Sequence, residues 1–366
     1  MARLPKPETH PPAAGHLVVR APNWVGDLVM ATPVLAAAEA AVRAGGSYAR
    51  LTILVRAHLA PVLAGGSLEA HVRPLAKGDD EAALYRDLGA DVALLLSSSF
   101  GAALRAFRAR VPARLGVSLH RRGALLTHRV VPATHAGRRA ATPTANLLAD
   151  VGALAGLLST RLHPELAVTA EEEARAAALR SAAGLEPGEP YVLCCPGAAF
   201  GAAKLWPPMR FAEAIEALGP ARGWRTLVTG GPGEERLMDA VAAAAPSATS
   251  LAAHPRDLGS LKPLVREAAL LLVGDSGPRW YAAAFDTPCV SVMGPNLPAL
   301  TASSLEFCEV VRKDDLPCSP CLERVCPLEH HACMVALPSA AVVAAAERVL
   351  ALPRARTAPA PSPVLS

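Results

Sequence analysis

Between residues 268 and 284 the sequence sets small polar residues and glycines where an anion can be held. Ala269-Leu-Leu-Leu-Val273 is a short apolar run suited to a buried strand, and Gly274-Asp-Ser-Gly277 is a turn. Pro278 then falls in the first turn of a helix, where its missing N–H has no partner to lose. Asp275 and Ser276 are placed to cap that helix before Thr287-Pro288 stops it. The backbone can approach a ligand closely at Gly277, and the dipole of the helix start favours a phosphate. The same residues also make an ordinary, well-capped strand-to-helix turn, so its use depends on what the rest of the chain brings to it.

A turn of this kind needs a sheet behind it. His16-Leu-Val-Val-Arg20 reads as a first buried strand, Ala21 to Asp27 as a glycine-bearing turn, and Leu28 to Arg43 as a helix. Leu51 to Val55 and Val92 to Leu96 read as further strands, with Ala102 to Ala109 among the helices between them. The alternation pauses near Leu162-His-Pro-Glu165, and a new helix begins at Glu171. Tyr191 to Cys195, Thr226 to Thr229, Leu270 to Val273 and Cys289 to Met293 then repeat the pattern. Strands alternating with helices of about a dozen residues imply βαβ units and parallel sheets, so the expectation is α/β with two doubly wound, Rossmann-like domains. The expected boundaries are a disordered arm over 1–15, one domain over 16–168, a second over 169–352 and a disordered tail over 353–366.

Composition is consistent with that plan. A chain of 366 residues, 52% hydrophobic and 19% charged, can build two cores, and its many alanines with only 4% aromatics favour helix. No apolar run approaches the roughly 18 uncharged residues of a membrane span, and residues 1–16 lack the apolar core of a signal peptide, so a cytoplasmic protein is expected. A net charge of +4 argues against wholesale nucleic-acid binding.

Open α/β sheets bind ligands beyond the carboxyl ends of their strands. The strand ends carry Asn23-Trp-Val-Gly-Asp27, then Pro196-Gly-Ala with Phe200-Gly-Ala-Ala-Lys204-Leu-Trp-Pro207, then Gly230-Gly-Pro, then Asp275-Ser-Gly-Pro278 followed by Gly294-Pro295. In that order and spacing, over roughly Leu17 to Leu352, the chain resembles glycosyltransferase family 9, the ADP-heptose:lipopolysaccharide heptosyltransferases, and is most similar to the heptosyltransferase II type. The resemblance implies a GT-B fold in which the two domains face a central cleft. An N-terminal domain would take the lipid-linked acceptor, a C-terminal domain would take ADP-heptose, and no cofactor would be required for transfer.

Inverting glycosyl transfer needs a base for the acceptor hydroxyl and positive charge or N–H dipoles for the departing diphosphate. Asp27, a carboxylate at a helix start, suits the first role and matches the family's proposed base, although an acidic residue there also serves simply as a cap. Lys204, a cation in a Gly/Ala-rich loop, suits the second. Ser276 and Gly277 would hold the diphosphate with Gly197 and Asp275 beside them, and Glu234 or Glu235 would accept hydrogen bonds from ribose or base. Trp280 is counted among the donor-binding residues as well; the family usually carries a His at its place, and an indole offers one N–H and a stacking face instead.

Two further features stand outside those motifs. Between Asp91 and Asp150 there is no Asp or Glu, while Arg105, Arg108, Arg110, Arg114, Arg121, Arg122, Arg129, Arg138 and Arg139 all fall there. That stretch reads either as a face for a phosphorylated lipid and the inner membrane, giving peripheral contact, or as a solvated basic surface carrying His120 and His128. Cys318, Cys321, Cys326 and Cys333 form C-x2-C-x4-C-x6-C, a spacing open to zinc, to an iron–sulfur group or to a purely structural loop over 318–333. Cys194, Cys195 and Cys289 read as small core residues. Two other functional classes fit the same shell: a nucleotide-sugar epimerase, and a metal-bearing binding protein that no longer transfers sugar.

Overall fold

The structure, a computed structural model, describes residues 15–119, 121–135, 138–159 and 161–353. The expected arm up to residue 14, His120 and the tail from 354 lie outside the described residues, as do the side chains of His135, Arg138 and Arg139.

The N-terminal half runs β1 (Gly15–Arg20), α1 (Val25–Arg43), β2 (Tyr48–Arg56), β3 (Val72–Leu75), α2 (Glu81–Asp87), β4 (Val92–Leu95), α3 (Phe100–Arg108), β5 (Ala113–Val117) and β6 (His128–Val130). A two-residue ribbon, β7 (Thr134–His135) with β8 (Arg138–Arg139), and α4 (Thr144–Ala153) follow. The strands pair in parallel in the order β3-β2-β1-β4-β5-β6. The C-terminal half repeats the design with α5 (Ala170–Ala182), β9 (Tyr191–Cys195), α6 (Pro208–Leu218), β10 (Arg225–Val228), α7 (Glu235–Ala244), β11 (Ala248–Ser250), α8 (Leu258–Glu267), β12 (Leu270–Gly274), α9 (Pro278–Ala284), β13 (Cys289–Val292), β14 (Cys308–Val311), α10 (Ala332–Val335) and α11 (Ser339–Leu350). Its parallel order is β11-β10-β9-β12-β13-β14.

The central strands are apolar on both faces because helices cover both sides of each sheet; Leu17, Val18 and Val19 are fully buried, as are Val192, Leu193 and Cys194. The edge strands β3, β6, β11 and β14 are short and carry Arg, His, Ser or Glu, which is why the sequence pattern passed over them. Helix α1 begins at Val25, earlier than the sequence suggested, so Gly26 and Asp27 belong to its first turn and not to a loop. Among the described helices it has the length and apolar composition of a membrane span, yet more than half of that stretch is buried inside the protein.

In each sheet the strand order reverses next to the first strand, at β1/β4 and at β9/β12. Such a reversal opens a crevice at the carboxyl ends of the strands. The two halves touch through α1 against α9 and through α8 against the turn at Ala57–Leu63. There Lys262, fully buried, donates to Ala64 O at 2.8 Å and pairs with Glu172 at 2.8 Å. Glu172 also closes the capping box with Thr169 that starts α5, so the entry of the second half is tied to the contact between the halves.

Candidate active site

Behind the N-terminal crevice lies a buried ion pair. Arg20, at the end of β1, donates from Nε to Glu81 at 3.1 Å and from Nη2 to Asn23 Oδ1 at 3.0 Å; Asn23 Nδ2 donates in turn to Ser97 Oγ at 3.1 Å. Arg122, fully buried, donates to the carbonyls of Val117, Ser97 and Ser99, and burial brings its pKa down to about 10. These bonds fix the loops after β1 and β4, which with α4 enclose a cavity of about 290 Å³ lined by Asn23, Trp24, Asp27, Ser97, Ser99 and Thr144, among others. Asp27 reaches this cavity from the first turn of α1. The side chain is partly open to the cavity but enclosed by protein elsewhere, and that desolvation lifts its pKa from 3.8 to about 6, while the Lys204 charge pulls the other way.

Lys204 comes from the C-terminal half, on the turn Ala202–Lys204 after β9. Its Nζ lies 2.5 Å from Asp275 Oδ2, 3.3 Å from Asp275 O and 4.7 Å from the centre of the Phe200 ring. Asn296 Nδ2 also donates to the Asp275 carboxylate at 2.7 Å. Asp275 is therefore a clamp on Lys204 and not the helix cap expected of it. Gly277 takes the cap position of α9 with no side-chain cap, Pro278 opens the helix, and Ser276 Oγ is buried without a partner among the described residues. Gly197 faces Glu234 so closely that a Cβ there would come 2.1 Å from the carboxylate, and Gly231 N donates to Glu234 Oε2 at 2.7 Å. This separates two residues that the sequence left equivalent: Glu234 sits against the glycines of the crevice, whereas Glu235 pairs with Arg256 at 2.7 Å.

Trp280, expected on the donor side of the cleft, stands at the contact between the two halves. It is 4% exposed and packs against Gly26 of the N-terminal half. The basic stretch also divides: Arg122 is buried, and Arg114 donates to Val111 and Leu125 carbonyls, so neither is free for a lipid, while Arg108, Arg110 and Arg121 are exposed.

The cysteine-rich loop rests on the Lys204 segment. Ala203 N donates to Arg324 O at 3.0 Å, and Ala203 O lies 2.7 Å from His331 Nε2. Cys333 is buried, and burial together with the neighbouring Cys321, Cys326 and Cys318 thiols raises its pKa. Among the described residues no three His, Cys, Asp or Glu side chains stand in an arrangement that could hold a metal ion.

Two doubly wound domains packed through α1 and α9, with Asp27 on one and Lys204 on the other, make a GT-B fold. The fold matches solved structures: a family 9 glycosyltransferase from Veillonella parvula (TM-score 0.74, 18% identity, 93% of this chain and 98% of that one) and ADP-heptose LPS heptosyltransferase II of Escherichia coli (TM-score 0.70, 23% identity, 92% and 98%). In sequence the chain is 28% identical over 312 residues to lipopolysaccharide heptosyltransferase 2 of Salmonella typhimurium, covering 81% of this chain and 87% of that protein. The profile of glycosyltransferase family 9 (heptosyltransferase) matches residues 82–332, and the chain belongs to that family.

Proposed function

We propose that the protein moves a heptose, with inversion, from ADP-heptose to the lipid A/inner-core oligosaccharide of lipopolysaccharide. Asp27 takes the proton of the acceptor hydroxyl in the N-terminal cavity, a task suited to a carboxylate titrating near neutrality. Lys204, held forward by Asp275, meets the diphosphate as negative charge develops on it, and Glu234, set against Gly197, receives the ribose, whereas Gly277 is taken up by its contact with Val25 of the other domain. The observation that supports this most is that the first turns of α1 and α9 pack against each other, which brings the Asp27 turn of one domain to the Lys204–Asp275 pair that precedes α9 in the other.

The test is to incubate purified protein with ADP-heptose and a heptose-deficient lipopolysaccharide and to follow ADP release and lipopolysaccharide mass. Acceptor-dependent ADP release in the presence of a chelator is expected. A changed sugar configuration without ADP release would indicate an epimerase, and donor binding without turnover a binding protein. We propose further that transfer takes place at the cytoplasmic face of the inner membrane, with peripheral contact through α3. That helix exposes Phe100 and Phe107, each 47% accessible, beside Arg108 and Arg110. Sedimentation with vesicles containing anionic lipid, lost in Phe107→Ser/Arg108→Ser, checks that placement.

A further inference from the structure

The first turns of α1 and α9 touch where each chain segment carries a glycine. A Cβ on Gly26 would lie 2.6 Å from Cδ1 and 2.9 Å from Nε1 of Trp280; a Cβ on Gly277 would lie 2.9 Å from Cβ and Cγ1 of Val25. Real Cβ atoms do not approach so closely, so each glycine is what lets the other domain's side chain come to that depth. The indole has little freedom to yield. Arg279, 2% exposed, lies with its guanidinium 4.8 Å from the ring centroid, and its Nη2 is anchored to Thr301 O at 2.9 Å. On the other side of the contact α1 is fixed by Leu28, Val29 and Ala31, all fully buried.

Asp27 follows Gly26 directly, so its carboxylate goes where that turn goes. We infer that Trp280 is a positioning residue for transfer: by bearing on Gly26 from the opposite domain, the indole sets where Asp27 stands relative to the Lys204 side of the cleft. The inference rests on the reading of Asp27 as the base. It gives the Trp at this position a task that an imidazole, being smaller, would not fill in the same way. A displacement of about 1 Å at a reacting group can cost about 10²-fold in rate, so a wedge with no ligand contact can still govern turnover.

The test compares Gly26→Ala, Trp280→Ala, the double variant and the conservative Trp280→Phe, with kcat, KM for ADP-heptose and thermal melting measured on each. Gly26→Ala is expected to lower kcat by about 30- to 100-fold with KM for the donor within about threefold. Because the methyl of Gly26→Ala acts by colliding with the indole, which Trp280→Ala removes, the double variant should be slower than Trp280→Ala by less than about threefold. Trp280→Phe should lose about tenfold in kcat at a melting temperature close to that of the wild type, which carries the test should Gly26→Ala not fold. The inference is overturned by a Gly26→Ala kcat within threefold of wild type, by effects that multiply in the double variant, or by a Trp280→Phe that loses stability but not kcat. Should Asp27→Ala keep its turnover, the base assignment fails and this inference with it; should Asp27→Ala be inactive while Gly26→Ala turns over normally, only this inference fails.

Discussion

Asp27, in the first turn of the helix that follows β1, and Asp275, in the turn between β12 and α9, are the two carboxylates that central strands of the two halves carry to the cleft, and the protein gives them opposite roles. Asp275 is paired with Lys204 and hydrogen-bonded by Asn296, so its charge is spent on holding a neighbour in place. Asp27 is enclosed by protein with the Lys204 charge as its principal counterweight, and its pKa is driven up to about 6. The residue type and the strand-to-helix setting are shared; the partners differ. A carboxylate relieved by a close cation is structural, and one left to bear its desolvation is ready to accept a proton.

The contrast predicts a ranked set of effects. Asp27→Ala should lower kcat by about 10²- to 10⁴-fold while leaving the affinity for ADP-heptose near normal, as measured by calorimetry; a turnover within about threefold of wild type removes Asp27 from the mechanism. Lys204→Ala should weaken donor binding and turnover together, by about 10²-fold in kcat/KM, and lower the melting temperature, because the buried Asp275 then loses its cation and keeps, among the described residues, the Asn296 amide. Asp275→Asn should be milder, about tenfold in KM for the donor, since Lys204 remains but is no longer held. Glu234→Gln should weaken donor binding by about three- to tenfold, while Glu235→Gln, whose partner is Arg256, should stay within about twofold.

Stability gives the same contrast with its sign worked out. The folded pKa of Asp27 lies above its unfolded value of 3.8, so the ionised form is the one the fold disfavours. That penalty is absent below about pH 4, where the carboxyl is protonated in both states, and is full above about pH 6. Asp27→Asn should therefore melt about 1–3 °C higher than wild type at pH 7.5, with the difference disappearing at pH 4. A variant less stable than wild type at pH 7.5 would show Asp27 to be a structural cap instead.

Much of this was legible in the sequence, for identifiable reasons. Buried parallel strands are continuous apolar runs, so β1, β2, β4, β9, β10, β12 and β13 stood out, whereas the short polar edge strands did not, nor did the inner strand β5, whose run is broken by Arg114 and Gly116. Asp27, Lys204 and the glycines lie in compact motifs at strand ends, where residue type and position agree. The network behind the cavity was not readable: Arg20, Asn23 and Ser97 are brought together across the sheet order, and Arg122 is indistinguishable by type from the exposed arginines around it. The capping role expected of Asp275 gave way to Lys204 because a cation 2.5 Å away outcompetes a backbone N–H for a carboxylate. The burial of Trp280 depends on Gly26, a residue of the other domain, and no local pattern around either one records it.

The central claim is that burial poises Asp27 as the base. Its most direct test is the pH dependence of the single-turnover rate, with donor and acceptor saturating, in wild type and in Asp27→Ala. The account predicts a rate in the wild type that falls on the acid side with a midpoint of about 6, and a slow residual rate in Asp27→Ala that shows no such limb. A wild-type limb near the ordinary carboxylate value of 3.8, or a limb near 6 that persists in Asp27→Ala, would contradict it.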